Sequence, residues 1–306
     1  ESVHCGICIH RLNKGLIAVA TALFLVSLHT LFNTIYVEST NEGKNKGVGR
    51  TKKLGDFIDI SGSAASFPLR CNTCALVGTS GHLLQFTLGK EIDENYSCIF
   101  RFGFSPTKGY EKHVGSRTNA RIVDSVRFFP FLKKPQKLVT GPFASDFWFL
   151  FHHSPGDITR FHGPFLKDLL QKHDSQFFWF SRDAEKEIIN SLNEKRSNYQ
   201  GKGISALWFS TRVIEDAGCK TLTVYGIPDA QICKRNLNVS IPSLYWNQKS
   251  PDVCEDGVDA SVASIQSKTS TSQVPTISER KSLPAWMRQH FFKFDFKSPL
   301  WLQSII

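Results

Sequence analysis

The chain has 306 residues, of which 41% are hydrophobic, and its formal net charge is +10. This length and apolar content allow a substantial core, that of about one large α/β domain. The positive charge does not by itself indicate nucleic acid as a partner, because the basic residues are scattered and no nucleic-acid-binding motif accompanies them. A basic cleft for an anionic ligand and a generally basic surface both account for the charge.

The first predicted element is a transmembrane helix over the apolar run Leu16–Val37. About 20 such residues span a bilayer. A cleaved signal peptide and a buried core helix are the alternatives, but a signal peptide has a shorter apolar stretch and a small-residue cleavage site. Arg11 and Lys14 precede the run, so residues 1–15 are predicted to be a cytosolic tail and the rest of the chain to be lumenal.

A polar stretch rich in Gly, Ser and Lys follows, and residues 38–68 are predicted to be a stem. Residues 69–306 then alternate strand-like and helix-like segments, as in an α/β domain. The predicted strands are Ala75–Val77, Cys98–Phe102, Ala120–Val123, Gln176–Phe180, Thr221–Tyr225 and a last one with Phe292, Phe294 and Phe296 on one face. The predicted helices are Asp183–Leu192 and Ser205–Ala217, the second with Gly218 as its C-terminal cap.

Asp256–Thr276 is rich in Ser, Thr, Ala and Val and contains no aromatic residue. A loop of this length inside a domain is usually a functional lid or a disordered insert. The composition favours disorder.

The cysteines fit a lumenal body. Six of the eight follow the predicted span, and an even number in an oxidising lumen suggests disulfides. Asn95 and Asn238 begin Asn-X-Ser tripeptides, which are glycosylation acceptors if this part is lumenal. Cys5 and Cys8 lie in a tail too short to enclose a metal ion, so free or lipid-modified thiols are the better interpretation and no metal site is predicted.

The predicted strand Ala75–Val77 runs into a Gly/Ser/Thr turn that contains Thr79, Ser80 and Gly81. A strand that enters such a turn before a helix presents backbone N–H groups, which is a natural seat for a nucleotide phosphate. Many α/β domains contain this pattern without a ligand, so the turn alone is a weak signal.

A more specific pattern covers the chain from Cys71 to Trp301. Its first block contains, in order, Arg101, Pro106, Thr107, Gly109, Tyr110, Glu111, Val114, Gly115 and Thr118, and Gly141–Phe143 follow it. Two further blocks cover residues 204–226 and 277–301. In this order the three blocks resemble the large motif, the small motif, and the very small motif with its final strand of the animal sialyltransferases, glycosyltransferase family 29. The branch that the chain resembles most is that of the N-acetylgalactosaminide α-2,6-sialyltransferases.

The resemblance implies a single Rossmann-like domain, a metal-independent variant of the A-type glycosyltransferase fold, after the N-terminal transmembrane helix. It implies transfer of sialic acid from CMP-sialic acid, without a cofactor, in α-2,6 linkage to N-acetylgalactosamine-containing glycans of glycoproteins or glycolipids. It also implies a single-pass type II protein of the Golgi membrane. Other glycosyltransferases are possible partners, and nucleic acid is not expected to be one.

Disulfide pairing is implied in the same way. Cys219 would pair with Cys74, as in the cross-motif bridge of the family, and Cys233 would pair with Cys254. The pairing of Cys71 and Cys98 is left open.

By position, the donor-binding residues would be Thr79, Ser80, Gly81, Gly103, Ser205, Ala206 and Tyr245. The chain departs from the family at several positions in these motifs. Gly103 replaces an Asn, Leu207 replaces the Gly of a Ser-Thr-Gly turn, and His113 replaces an Asp. The histidine of the third motif falls on Leu244, and the histidine that acts as general base falls on Val274.

Valine cannot accept a proton, and loss of a general base costs on the order of 10²–10⁴-fold in rate. His82, His113 and His290 are expected to be structural or exposed, and Glu279 would act as a base only if burial raised its pKa. The sequence therefore supports two hypotheses: a sialyltransferase with an altered site, and a catalytically inactive paralogue that binds glycans or glycosyltransferases. A faulty gene model around Asp256–Thr276 is a third possibility, against which Gly103 and Leu207 argue because they lie elsewhere.

Overall fold

The structure, a computed structural model, describes residues 56–59, 62–151, 168, 172–194, 205–228, 240–254, 277–291 and 293–297. These residues all belong to one compact unit that spans Lys52–Ile306. The predicted tail, transmembrane helix and most of the stem lie outside the described residues. None of the helices within the described part is long and apolar enough to cross a membrane.

The described residues form eleven strands and seven α-helices. The strands are β1 Phe57–Asp59, β2 Ala64–Ala65, β3 Thr73–Val77, β4 Cys98–Phe102, β5 Ala120–Asp124, β6 Phe147–Phe151, β7 Gln176–Phe180, β8 Thr221–Tyr225, β9 Pro242–Leu244, β10 Asn247–Asp252 and β11 Lys293–Phe296. The helices are α1 Gly89–Asn95, α2 Glu111–Val114, α3 Ser125–Phe128, α4 Gln136–Val139, α5 Arg182–Glu194, α6 Ala206–Ala217 and α7 Ile277–His290. Two 3₁₀ helices cover Gly81–Gln85 and Phe129–Lys133.

Nine strands form one sheet in the order β11-β8-β3-β4-β5-β6-β7-β1-β2. The seven strands from β11 to β7 are parallel, whereas β1 pairs antiparallel with β7 and with β2. Strands β9 and β10 form a separate antiparallel hairpin. The predicted α/β class with a Rossmann-like parallel sheet is confirmed.

The parallel sheet is buried on both faces, which explains why its strands are apolar along most of their length. On one face, α6 and α7 pack through Phe209, Ile214 and Met287 against β3, β4 and β8. On the other face, Ile92 of α1 and Val114 of α2 pack in a second cluster. Trp148 of β6 and Phe177 and Trp179 of β7 join a third cluster on that same face, whereas the alternate aromatic residues of these strands belong to the first cluster.

The folded domain begins earlier than the sequence suggests. Phe57 pairs with Phe180 of β7 and is 2% exposed, although it lies in the predicted stem. Asp56 forms a buried ion pair with Arg212 of α6, which also binds Asp216 at 2.8 Å. The domain therefore starts at or before Asp56 rather than after Pro68.

Two disulfides lie near the amino-terminal ends of β3, β4 and β8. Cys74 is bonded to Cys219, the pair implied by the resemblance, across 145 residues of sequence. Cys71 is bonded to Cys98, which settles the pairing that the sequence left open. Cys254 is also disulfide-bonded. Cys233, its implied partner, lies outside the described residues, so that pairing stays a prediction.

Candidate donor site

The candidate site lies where the strand order of the sheet reverses. The chain passes from β3 to β4 on one side, and it reaches β8 on the other side of β3 only much later. In open parallel sheets, ligands bind in the crevice at the carboxyl ends of the strands at such a reversal. Gly78–Gly81 follow β3 and Gly226 follows β8, so both segments lie at this edge.

The turn after β3 is packed tightly against the end of β8. The amide of Gly78 donates to the carbonyl of Tyr225 at 2.7 Å, and the amide of Ser80 donates to the carbonyl of Gly226 at 3.1 Å. A Cβ at position 78 would lie 2.5 Å from the Gly226 oxygen, so only glycine fits. Two of the amides expected to face a phosphate are therefore used within the fold, and the helix that follows is a 3₁₀ helix of five residues.

His82 lies in that 3₁₀ helix and is 1% exposed. Its Nδ1 lies 2.9 Å from the hydroxyl of Ser80. Burial lowers the pKa of His82 to about 4, against a smaller opposite effect from the main chain of Lys297. The imidazole is therefore neutral near pH 7 and a weak base, in agreement with a structural role.

The β9–β10 hairpin covers the turn. The amide of Tyr245 donates to the carbonyl of Thr79 at 2.7 Å, and its hydroxyl donates to the carbonyl of Pro106. Pro242 would meet a Cβ at position 81 at 3.0 Å. Burial raises the pKa of Tyr245 to about 12, so its hydroxyl stays protonated. Tyr245 thus joins the loop after β3 to the loop after β4.

Gly103 follows β4 and is buried. Its φ is +50°, in the left-handed region, where Gly is favoured and Asn is the commonest substitute. Its amide donates to the carbonyl of Ile122 at 2.9 Å, and its carbonyl accepts from Nη1 of Arg121 at 2.9 Å. The backbone here suits the Asn of the family, but the side chain that would reach a nucleotide is missing.

Ser205 caps α6, and its side chain accepts a hydrogen bond from the amide of Leu207 at 3.2 Å. Its own amide donates to Oε1 of Glu279 at 2.8 Å. Ala206 and Leu207 are 2% and 0% exposed. Leu207 is thus a core residue in the first turn of α6. Glu279 lies in the first turn of α7, so its hydrogen bond to Ser205 links the starts of the two helices.

His290, another residue considered for catalysis, binds Glu215 at 2.8 Å and stacks on Trp286. It lies at the end of α7, whose first turn contains Glu279, so the two lie about 16 Å apart along the helix axis. Leu244 lies on β9, where its amide donates to the hydroxyl of Ser250 at 3.0 Å. Val274 and Asp256–Thr276 lie outside the described residues.

His113 and Asn95 lie elsewhere on the surface. Nδ1 of His113 contacts the carbonyl of Phe86, so this side chain anchors a loop. Asn95 ends α1 and is exposed, which leaves it open to a glycan, whereas Asn238 lies outside the described residues. Within the described part, the one group of potential metal ligands is Cys71, Cys74 and Cys219, and all three are consumed in disulfides.

The structure therefore buries six of the seven predicted donor-binding residues, and Gly81 is partly exposed. Thr79, Ser80, Ser205, Ala206 and Tyr245 are each at most 2% exposed. Arg121 was not predicted from the sequence to belong to the site, but it is buried and holds the loop after β4. An arginine inside the otherwise apolar strand Ala120–Val123 was the signal that could have indicated it.

Comparisons with known proteins identify a family and several relatives. Residues 45–258 match the family model described as glycosyltransferase family 29 (sialyltransferase). Alpha-N-acetylgalactosaminide alpha-2,6-sialyltransferase 6 of Mus musculus is 27% identical over 303 residues, covering 92% of this chain and 87% of the relative. Alpha-N-acetylgalactosaminide alpha-2,6-sialyltransferase 3 of Homo sapiens is 25% identical over 242 residues, covering 77% of this chain and 76% of the relative.

Two solved structures are also similar. The crystal structure of a mammalian sialyltransferase gives a TM-score of 0.43 at 17% identity, covering 73% of this chain and 69% of that one. The sialyltransferase CstII from Campylobacter jejuni in complex with cytidine-5'-monophosphate gives 0.45 at 12% identity, covering 76% and 82%.

Proposed function

Because the chain belongs to glycosyltransferase family 29, the sialyltransferases, we propose that it is a single-pass type II protein of the Golgi membrane with a lumenal sialyltransferase domain. The domain is built for CMP-sialic acid as donor and for N-acetylgalactosamine-containing glycans of glycoproteins or glycolipids as acceptors, in α-2,6 linkage. The names of the relatives, which are alpha-N-acetylgalactosaminide alpha-2,6-sialyltransferases, support this acceptor and linkage.

One observation carries the proposal. Residues at the family's donor positions follow β3 and β4 at the reversal of strand order, and others begin α6. Tyr245 joins two of these loops through its main chain and its hydroxyl. A nucleotide sugar would bind over this edge, as ligands of open parallel sheets do.

The transfer reaction makes two demands on the side chains. The acceptor hydroxyl attacks the anomeric carbon and loses a proton to a base, while CMP leaves with its phosphate charge stabilised. His82 is buried and its pKa is near 4. Glu279 is buried and binds the Ser205 amide. His82 is therefore not a general base with a pKa near working pH, which is the value that favours catalysis, and the Glu279 carboxylate already accepts a main-chain hydrogen bond.

A second candidate function follows from the same facts: a catalytically inactive paralogue that binds glycans or other glycosyltransferases through the inherited fold. The specific observation in its favour is that Gly103 offers no polar side chain where the family has Asn, and that Leu207 places a buried apolar side chain where the family has Gly. In addition, the amides of Gly78 and Ser80 donate to the carbonyls of Tyr225 and Gly226, so they do not face a phosphate. We favour the inactive paralogue as the description of what the protein does now. The first candidate describes its ancestry and its cellular compartment.

Calorimetry with CMP separates the two. Saturable binding of CMP, but not of uridine monophosphate, supports a working donor site and hence the first candidate. No heat of binding at millimolar CMP contradicts the enzyme and leaves the inactive paralogue. Glycosidase-sensitive mass on the protein expressed in animal cells tests the lumenal placement, with Asn95→Gln as the site-specific control.

A further inference from the structure

Four cysteines form one cluster near the amino-terminal ends of β3, β4 and β8. The Sγ atoms of Cys71, Cys74 and Cys219 all lie within 4.8 Å of one another, although Cys71 is bonded to Cys98 and Cys74 is bonded to Cys219. Side chains are in contact when their heavy atoms approach within about 4.5 Å. The sulfur of Cys71 therefore lies at, or close to, contact distance from both sulfurs of the other disulfide.

The main chain also places Cys71 beside Cys219. The amide of Cys71 donates to the carbonyl of Ala217 at 2.9 Å, and the amide of Lys220 donates to the carbonyl of Asn72 at 2.8 Å. These two hydrogen bonds hold the two segments side by side. Hydrogen-bonded segments lie about 5 Å apart, which is within the range of Cα separations in disulfides. A bond between Cys71 and Cys219 therefore fits the main chain as it stands.

The other two cysteines are aligned in the sheet. Cys74 of β3 and Cys98 of β4 are direct partners in the parallel register, and both side chains belong to the core cluster on one face of the sheet. The cluster thus permits a second pairing, in which Cys71 is bonded to Cys219 and Cys74 is bonded to Cys98. Each bond of this second pairing again joins neighbouring segments.

The four cysteines differ in their access to solvent. Cys74, Cys98 and Cys219 are at most 8% exposed, whereas Cys71 is partly exposed and precedes the exposed Asn72. Thiol–disulfide exchange requires an attacking thiolate to reach a sulfur atom. A reductant in solution therefore reaches the Cys71–Cys98 bond first, and burial protects the Cys74–Cys219 bond from direct attack.

We propose that Cys71 is an exchange-active cysteine, which carries reduction by a dithiol from the protein surface to the buried Cys74–Cys219 bridge. One thiolate of the dithiol attacks Sγ of Cys71, and Cys98 leaves as a thiolate that takes up a proton. The second thiol of the dithiol then displaces Cys71 as a thiolate, and the dithiol departs as a disulfide. Two electrons have passed from the dithiol to the protein.

The Cys71 thiolate next attacks Sγ of Cys219. The Cys71–Cys219 bond forms as the Cys74–Cys219 bond breaks, and Cys74 leaves as a thiolate. This step involves no net oxidation or reduction, because one S–S bond replaces another. One end of the relocated disulfide is now the partly exposed Cys71, so a second dithiol reduces it.

Two variants that lose the same disulfide isolate the role of Cys71. Cys98→Ala keeps the Cys71 thiol beside the buried bridge, whereas Cys71→Ala keeps the Cys98 thiol. The purified full chains are treated with dithiothreitol and quenched in acid, which stops exchange because the thiolate is the attacking species. N-ethylmaleimide in denaturant then marks the free thiols, and peptide mass spectrometry locates them. We expect Cys74 and Cys219 to be released at least about tenfold faster in Cys98→Ala, because Cys71 attacks at the high effective concentration of an intramolecular group.

The unmodified chain gives an answer that needs no variant. Early in the reduction, label on Cys98 should be accompanied by label on Cys74 as well as on Cys71, because exchange divides the second free thiol between these two. Label confined to Cys71 and Cys98 at that stage would overturn the proposal, and so would equal rates of release in the two variants. Both readouts are independent of donor binding and of sialic acid transfer.

Discussion

The main-chain amide of Ser205 donates a hydrogen bond of 2.8 Å to Oε1 of Glu279, which joins the first turns of α6 and α7 at the candidate donor edge. Both residues are 0% exposed. The contact gives Glu279 a structural role at the position where the family resemblance suggested a motif residue near the catalytic base.

Glu279→Ala should destabilise the protein. The Ser205 amide would lose its acceptor inside the core, which costs about 2–3 kcal/mol in free energy of unfolding for a bond to a charged group. Glu279→Gln keeps an acceptor oxygen and should cost less. Urea denaturation measures both, with Glu94→Ala as control, because the exposed Lys90–Glu94 pair at 4.0 Å should contribute below about 0.5 kcal/mol. Equal losses for Glu279→Ala and Glu94→Ala would contradict the role.

His82 should make stability depend on pH. Its pKa is lowered by burial to about 4 in the folded protein from 6.5 in the unfolded chain. The unfolded chain therefore binds more protons between these values, and this contribution to stability is present above pH 6.5 and is lost as pH falls toward 4. The shift corresponds to roughly 3 kcal/mol.

His82→Gln should remove this dependence. The free energy of unfolding measured from pH 7 to pH 4 should fall less steeply for the variant than for the unmodified chain. Burial raises the pKa of Asp146 and Asp216, which acts in the opposite direction but equally in both proteins. Parallel curves for the two proteins would show that His82 is not the group responsible.

The two disulfides should differ in their contribution to stability. Cys74–Cys219 closes 145 residues and Cys71–Cys98 closes 27. The chain-entropy model gives about 5 kcal/mol for the first and about 3.5 kcal/mol for the second. Paired Cys→Ala variants, one pair at a time, serve as controls for each other in denaturant unfolding. A larger loss from the shorter loop would contradict this order.

Gly103→Asn should be tolerated and should strengthen CMP binding. The φ of +50° is one that Asn adopts more readily than other non-glycine residues, so the backbone strain should cost only about 1–2 kcal/mol in free energy of unfolding. One added hydrogen bond to the nucleotide should increase CMP affinity about tenfold. Gly109→Asn is the matched control, because φ there is +87° and the site is open and exposed. The same CMP affinity in both variants would contradict the assignment of position 103 to the donor site.

Much of the fold follows from local patterns in the sequence. The apolar spacing of α6 and Gly218 at φ +75° define that helix and its C-terminal end, as predicted, and the structure adds Ser205 as its N-terminal cap. The last strand shows the predicted alternation, with Lys293 and Asp295 exposed and Phe294 and Phe296 partly buried. Patterns of this kind depend on neighbours in the chain.

Features that depend on distant residues were missed. Phe57 lies in polar surroundings, and its place in the sheet depends on pairing with Phe180, more than a hundred residues away. The Gly/Ser turn was predicted to present its amides to a phosphate, but two of them donate to the carbonyls of Tyr225 and Gly226. The Cys71–Cys98 bond and the alignment of Arg101 with Arg121 on neighbouring strands likewise arise from strand register, which a single sequence does not specify.

Transfer of radiolabelled sialic acid from CMP-sialic acid to N-acetylgalactosamine-containing glycoprotein tests the central claim most directly: that the site is inherited but lacks a working base. The mouse relative, assayed in parallel, is the positive control. We predict a rate at least about 10²–10⁴-fold below that of the relative, as expected for loss of general base catalysis. Transfer at a rate similar to that of the relative would contradict the account.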